Sequence, residues 1–75
     1  MPENRDPRKD PRPGDVLRET DFFSNFYVVT KVDGDTISFL WIGSEHNGSD
    51  TQSLPAWRDQ HGTPEPSEVL HVAGA

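Results

Sequence analysis

The string Phe26-Tyr27-Val28-Val29-Thr30-Lys31-Val32-Asp33-Gly34-Asp35-Thr36-Ile37-Ser38-Phe39-Leu40-Trp41-Ile42 constrains the fold more than any other part of the chain. Two runs rich in aromatic and β-branched residues, 26–32 and 36–42, flank Asp33-Gly34-Asp35, whose glycine supplies the backbone freedom of a tight hairpin turn. The chain is thereby committed to β structure. On the second run Ile37, Phe39 and Trp41 share one face by period-two alternation, while Ser38, Leu40 and Ile42 share the other. Both faces are apolar towards its end, which suits a bent strand in a closed barrel and leaves open which face is exposed. The first run offers either Phe26, Val28, Thr30 and Val32 or Tyr27 and Val29 as its inward set, and a bulge that switches faces before Val32 reconciles the two.

Turn signals divide the rest of the chain. Pro13-Gly14-Asp15 leads into a short first strand, Val16-Leu17-Arg18, and residues 19–25 form a loop around Phe22-Phe23. Residues 43–49 contain an Asn-Gly turn and read as an exposed loop, followed by a short fourth strand at 51–54. Pro55-Ala56-Trp57-Arg58 suits a single helical turn at about residues 55–59, with proline tolerated at the first position. A polar linker with Gly62, Pro64 and Pro66 precedes a last strand at 68–72. The expectation is all-β: a five-stranded SH3-like barrel with one short helical turn, closed by Trp57 as a core plug.

Proline and charge mark off the N-terminus. Pro2, Pro7, Pro11 and Pro13 are interleaved with charges, and Met1 is the one apolar residue among the first 13, too little to offset the entropy of ordering. Residues 1–11 are therefore expected to be a flexible arm, and residues 12–73 the folded domain. Residues 1–20 carry five charges of each sign, so the net charge of −6 falls on the body, which has eight acids against Lys31 and Arg58. That acidity disfavours direct nucleic-acid binding by the body, because neutralising phosphates requires cations.

Other classes are excluded or disfavoured on composition and spacing. No apolar stretch approaches the roughly 20 residues of a membrane helix. The absence of cysteine removes disulfide frameworks and thiolate zinc sites, and the polar start lacks the apolar stretch of a secretory signal, so a cytoplasmic setting is expected. His46, His61 and His71 fall in a loop, a linker and a terminal strand, and Glu45-His46 with Asp50 lacks two-ligand spacing on a regular element. The serines show no nucleophile-elbow context. No catalytic residue, metal or cofactor is expected.

The segments Pro-Gly-Asp-Val-Leu-Arg (13–18), Tyr-Val-Val-Thr-Lys-Val-Asp-Gly-Asp-Thr-Ile-Ser-Phe (27–39), Ser-Leu-Pro-Ala-Trp-Arg-Asp-Gln (53–60) and Glu-Val-Leu-His-Val (68–72) together resemble small SH3-like proteins of bacteriophages and prophages. The resemblance covers about residues 12–72 and is carried by turns and core positions. It implies a non-catalytic accessory protein that binds another protein, in one specific form an inhibitor of a host defence complex such as an anti-CRISPR protein. Phe22, Phe23, Trp41, Asp33, Asp35, Glu45, Asp50, Arg58 and Asp59 are the candidate interface, the acids being suited to a basic channel. Gly14-Asp15-Val16 and the hairpin also resemble KOW-type modules, which bind RNA or the transcription and translation machinery. In that alternative Arg5, Arg8, Lys9 and Arg12 provide phosphate contacts. A protein partner, no membrane contact, and room for a homo-oligomer complete the expectation.

Overall fold

The hairpin forms as the sequence predicts and organises the rest. In a computed structural model, which describes residues 5–20, 24–62 and 66–74, strand β1 spans Val16–Arg18, β2 Phe26–Asp33, β3 Thr36–Ile42, β4 Asn47–Ser53, helix α1 Leu54–Gly62, and β5 Glu68–His71. Gly34 turns the β2–β3 hairpin with φ of +59°, a left-handed conformation that an L side chain would strain. Tyr27 faces Trp41 and Val29 faces Phe39 across the pair; the register then shifts between Val29 and Lys31, so that Val32 meets Ile37. This is the expected bulge, with Thr30 as its extra residue, and it brings Val32 onto the same face as Tyr27 and Val29.

The sheet is antiparallel in the order β4-β3-β2-β1-β5, and it is open. Closure into a barrel, expected from the bent hairpin, is not observed: β4 pairs with β3 and β5 with β1, and these two outer strands do not pair with each other. After β4 the chain enters α1 at once, Ser53 into Leu54, and α1 packs back on β4 and β3, so that Phe39 is covered by Trp57 of the helix and not by an opposing strand. Ser53 Oγ accepts the Ala56 N–H at 3.4 Å as an N-cap, and the Leu54 N–H donates to the Asp35 carbonyl at 2.8 Å, fixing the helix start beside the hairpin turn. The helix runs nine residues instead of the single turn expected at 55–59. Trp57 and His61, four apart, both face inward and are fully buried, their rings 4.1 Å apart.

Leu17, Tyr27, Val29, Ile37, Phe39 and Trp57 form the core, with Val32, Trp41, Leu54 and Val69 packed against it. Trp57 meets Phe39 and Tyr27 at centroid distances of 5.4 and 6.4 Å. The plug expected at Trp57 is present, but it fills the gap of an open sheet.

Residues 5–11, expected as a flexible arm, are seated on the body. Pro7 and Pro11 are buried, and the Pro7 carbonyl accepts the Trp57 indole N–H at 2.9 Å. The Lys9 carbonyl accepts Arg58 Nε at 2.7 Å, and Arg8 reaches the Ser67 carbonyl at 3.2 Å. Arg5 and Asp15 form a buried bidentate ion pair. An apolar side-chain count misses this docking, because it uses proline rings, backbone carbonyls and guanidinium groups.

Strand β4 also begins earlier than expected, taking in Asn47-Gly48-Ser49 from the anticipated loop, and it ends at Ser53, short of Leu54. Its sequence, Asn-Gly-Ser-Asp-Thr-Gln-Ser, has little strand propensity; seven consecutive pairs with β3 hold it in place. Gly48 lets Trp41 pack close, since a Cβ there would lie 3.0 Å from indole atoms and the ring would have to shift.

Trp57→Ala removes the largest fully buried side chain and should cost about 3 to 5 kcal/mol. Such a loss takes most of the stability of a domain this small, so thermal denaturation is expected to show no cooperative transition; a midpoint equal to the parent's contradicts the core assignment.

Candidate functional site

The register sorts side chains onto two faces, and the outer face carries a patch that no other element covers among the described residues. Val16, Val28, Leu40 and Ser49 form one row across β1, β2, β3 and β4; Arg18, Phe26, Ile42 and Asn47 form the next. Phe26, Leu40 and Ile42 are 38%, 44% and 45% exposed, high for large apolar side chains in a chain that is only 31% apolar. The Arg18 guanidinium lies over the Phe26 ring, 5.8 Å from its centroid, and within 4.0 Å of Glu68. Leu40, Ile42, Asn47 and Ser49 line a shallow groove of about 470 Å³, with Trp41 and Gly48 completing its wall. The alternation of β3 already distinguished the two faces. Which one stays exposed is decided by α1, which covers Ile37 and Phe39 instead of Leu40 and Ile42.

Charge is segregated within the fold. Asp6, Asp10, Asp15 and Glu68 are ion-paired with Arg8, Arg12, Arg5 and Arg18. Asp33, Asp35, Glu45, Asp50 and Asp59 are all exposed, and none has an ion pair among the described residues. They lie in the hairpin turn and its flank, the β3–β4 connection, β4 and α1. Trp41 is half-buried on the inner side of β3, where it shares a cleft with Asp50. Arg58 is exposed but holds the arm through Lys9, so it is a structural tie as well as a surface cation. Phe22 and Phe23 lie outside the described residues.

The inner rim beside β4 is a second cleft, about 350 Å³, lined by Tyr27, Phe39, Trp41, Asp50, Gln52 and Gln60 with Asn25. Tyr27 donates to Glu19 at 2.5 Å and accepts from Gln60 Nε2 at 3.2 Å, while Gln52 Nε2 donates to Gln60 Oε1 at 2.5 Å. Burial and the Glu19 carboxylate push the Tyr27 hydroxyl up to about 12, so it remains a neutral donor. This chain of bonds holds the cleft floor in one arrangement.

Two buried groups were not visible as such in the sequence. Asp15, which reads there only as a turn residue, is fully buried. Its carboxylate accepts Arg5, the Arg12 N–H at 2.7 Å and the Ala73 N–H at 2.7 Å. Burial alone would raise its pKa, but these donors outweigh burial and hold it below the usual carboxylate range. His61, expected in a polar linker, is fully buried with Nδ1 2.8 Å from Ser67 Oγ. The pair has the residue types of a base and a nucleophile; Ser67 is 2% exposed, and His61 Nε2 has no hydrogen-bond partner among the described residues. Among the described residues no three His, Asp or Glu side chains gather as a metal site, and no helix is long and apolar enough to cross a membrane.

No family model, curated protein or solved structure matches the chain.

Desolvation lowers the His61 pKa from 6.5 to about 4, which ties stability to pH. The unfolded chain takes up this proton more readily than the fold, so the contribution is complete above pH 6.5 and is lost as the pH falls towards 4. Denaturant titrations should show a decline of about 3 kcal/mol over that window, and His61→Leu should flatten it; an unchanged slope in the variant contradicts the assignment.

Proposed function

We propose that this chain is a non-catalytic protein-binding module that docks a basic partner on the side formed by the hairpin turn, β4 and α1. The observation that carries the reading is the segregation of charge. Asp6 and Asp10 of the arm, Asp15 of the turn and Glu68 of β5 each have an arginine partner, while Asp33, Asp35, Glu45, Asp50 and Asp59 have no ion pair among the described residues and are left to act outward. A one-signed surface accelerates encounter with a basic partner and makes association sensitive to salt. The uncovered Leu40 and Ile42, on the outer face of β3 next to β4, add exposed apolar surface that a purely charged surface lacks.

The strand order and the helix before the last strand support an SH3-like kinship with the sheet left open. The sequence resemblance alone carries the further reading, a bacteriophage or prophage accessory protein acting in a bacterial cytoplasm. Its specific form is an inhibitor of a host defence complex, such as an anti-CRISPR protein, with the five acids occupying a basic channel. The RNA-binding reading leans on the cations of the arm, and two of these, Arg5 and Arg8, are engaged with Asp15 and Asp6.

Pull-down from a bacterial lysate, run in parallel with a variant carrying Asp33→Asn, Asp35→Asn, Glu45→Gln, Asp50→Asn and Asp59→Asn, tests the docking surface. The parent should recover a specific basic protein at low salt and less of it at moderate salt, while the variant keeps its melting midpoint and recovers little. Equal recovery by both, or no specific protein at either salt, counts against the reading.

A further inference from the structure

Strand β4 is an edge strand, paired among the described residues with β3 alone, and Asp50 is its one charged side chain. Such a strand exposes backbone N–H and C=O groups that can pair with another chain, and proteins ordinarily blunt it with lysine, proline, a bulge or a covering element. Asn47–Ser53 contains neither lysine nor proline, and its pairing with β3 runs through seven residues without a register shift. One edge donor has only a local partner: the Thr51 N–H bonds to Asp50 Oδ1 at 2.8 Å.

Grooves lie on both faces of this edge. On the outer face the apolar groove at Leu40 and Ile42 is bordered by Asn47 and Ser49. On the inner side the cleft over Tyr27, Phe39 and Trp41 is bordered by Asp50 and Gln52. The β4 register explains the division, since Gly48, Asp50 and Gln52 face Trp41, Phe39 and Ile37, while Asn47 and Ser49 face Ile42 and Leu40. A strand laid along β4 would direct alternate side chains to the two sides. One set would meet apolar surface; the other would meet the half-buried Trp41 indole together with the carboxylate of Asp50, Tyr27 and Phe39 being buried beneath, a combination that favours a lysine or arginine side chain.

We propose that β4 is a strand-addition site for an extended segment of another protein in which apolar residues alternate with lysine or arginine. Backbone pairing supplies affinity and the two grooves supply selectivity. Asp50 turns from the Thr51 N–H to the incoming cation, and that N–H passes to the partner's carbonyl. A second copy of this chain is a poor occupant: antiparallel pairing of two β4 strands about their midpoint sets Asp50 against Asp50 in chains of net charge −6. The proposal rests on the protein-binding reading and specifies how the partner is held.

The test uses the full chain and three capped peptides of equal length: alternating lysine and valine, alternating lysine and proline, and alternating glutamate and valine. Backbone amide NMR should show saturable binding of the lysine–valine peptide, with the largest shifts at residues 47–53 and the Trp41 indole. Affinity should be at least about tenfold above that of the lysine–proline peptide, which has the same charge but cannot pair as a strand. Asp50→Lys, an exposed substitution, should abolish binding while the melting midpoint is kept. Equal affinity for the lysine–valine and lysine–proline peptides, shifts located away from β4, or an unaffected Asp50→Lys variant each overturns strand addition. If a captured protein protects Phe26 and Leu70 from hydrogen exchange and leaves residues 47–53 unprotected, the binding-module reading stands and this mode fails.

Discussion

One buried carboxylate holds together parts of the chain that otherwise have little reason to meet. Asp15 receives the Arg5 guanidinium from the arm, the Arg12 N–H from the turn and the Ala73 N–H from beyond β5. Arg5 also donates to the Ala73 carbonyl at 2.9 Å and to the Asp10 carbonyl at 2.9 Å. With both side chains almost completely buried, either charge without the other would be costly, so the arm cannot leave without stranding Asp15. The same docking brings the Pro7 carbonyl to the Trp57 indole, and a polar tie thereby governs the sealing of an apolar core.

This arrangement shapes the surface as well as the interior. A body with eight acids and two bases would repel itself if every charge remained on it. The arm's arginines pair with acids of the arm and the turn, and Arg18 pairs with Glu68, the one body acid with an ion pair among the described residues. Among these residues the β4 edge stays open and Asp50 has no ion pair. Closing the sheet into a barrel would have buried that edge; α1 and the arm seal the core without doing so.

The sequence made the hairpin, the bulge before Val32 and the Trp57 plug legible, because each is written in local patterns: alternation, turn chemistry and one large aromatic in a small domain. Strand β4 was not legible over its full length, since its polar residues adopt strand geometry only through pairing with β3. The helix reads short in the sequence because His61 resembles a linker residue, although Leu54, Trp57 and His61 share the spacing of one helical face. The open sheet goes with a chain path, Ser53 directly into Leu54, that carries no periodic signal. The arm was the hardest part: its docking depends on backbone carbonyls and on one Arg–Asp pair ten residues apart, which composition cannot reveal. Among the candidate interface residues, the acids were selected as charges on the body, but which of the chain's acids are left without an internal partner depends on where the arm lies.

The account turns on whether the arm is part of the fold. Hydrogen exchange of the Trp57 indole N–H, followed by NMR in the full chain, measures this most directly. If the Pro7 carbonyl holds that proton in a sealed core, it should exchange only through global unfolding, at the pace of the slowest amides of β2 and β3. Exchange as fast as in an unfolded chain, while the β2 and β3 amides remain protected, would show that the arm is detached from the core and contradict the account.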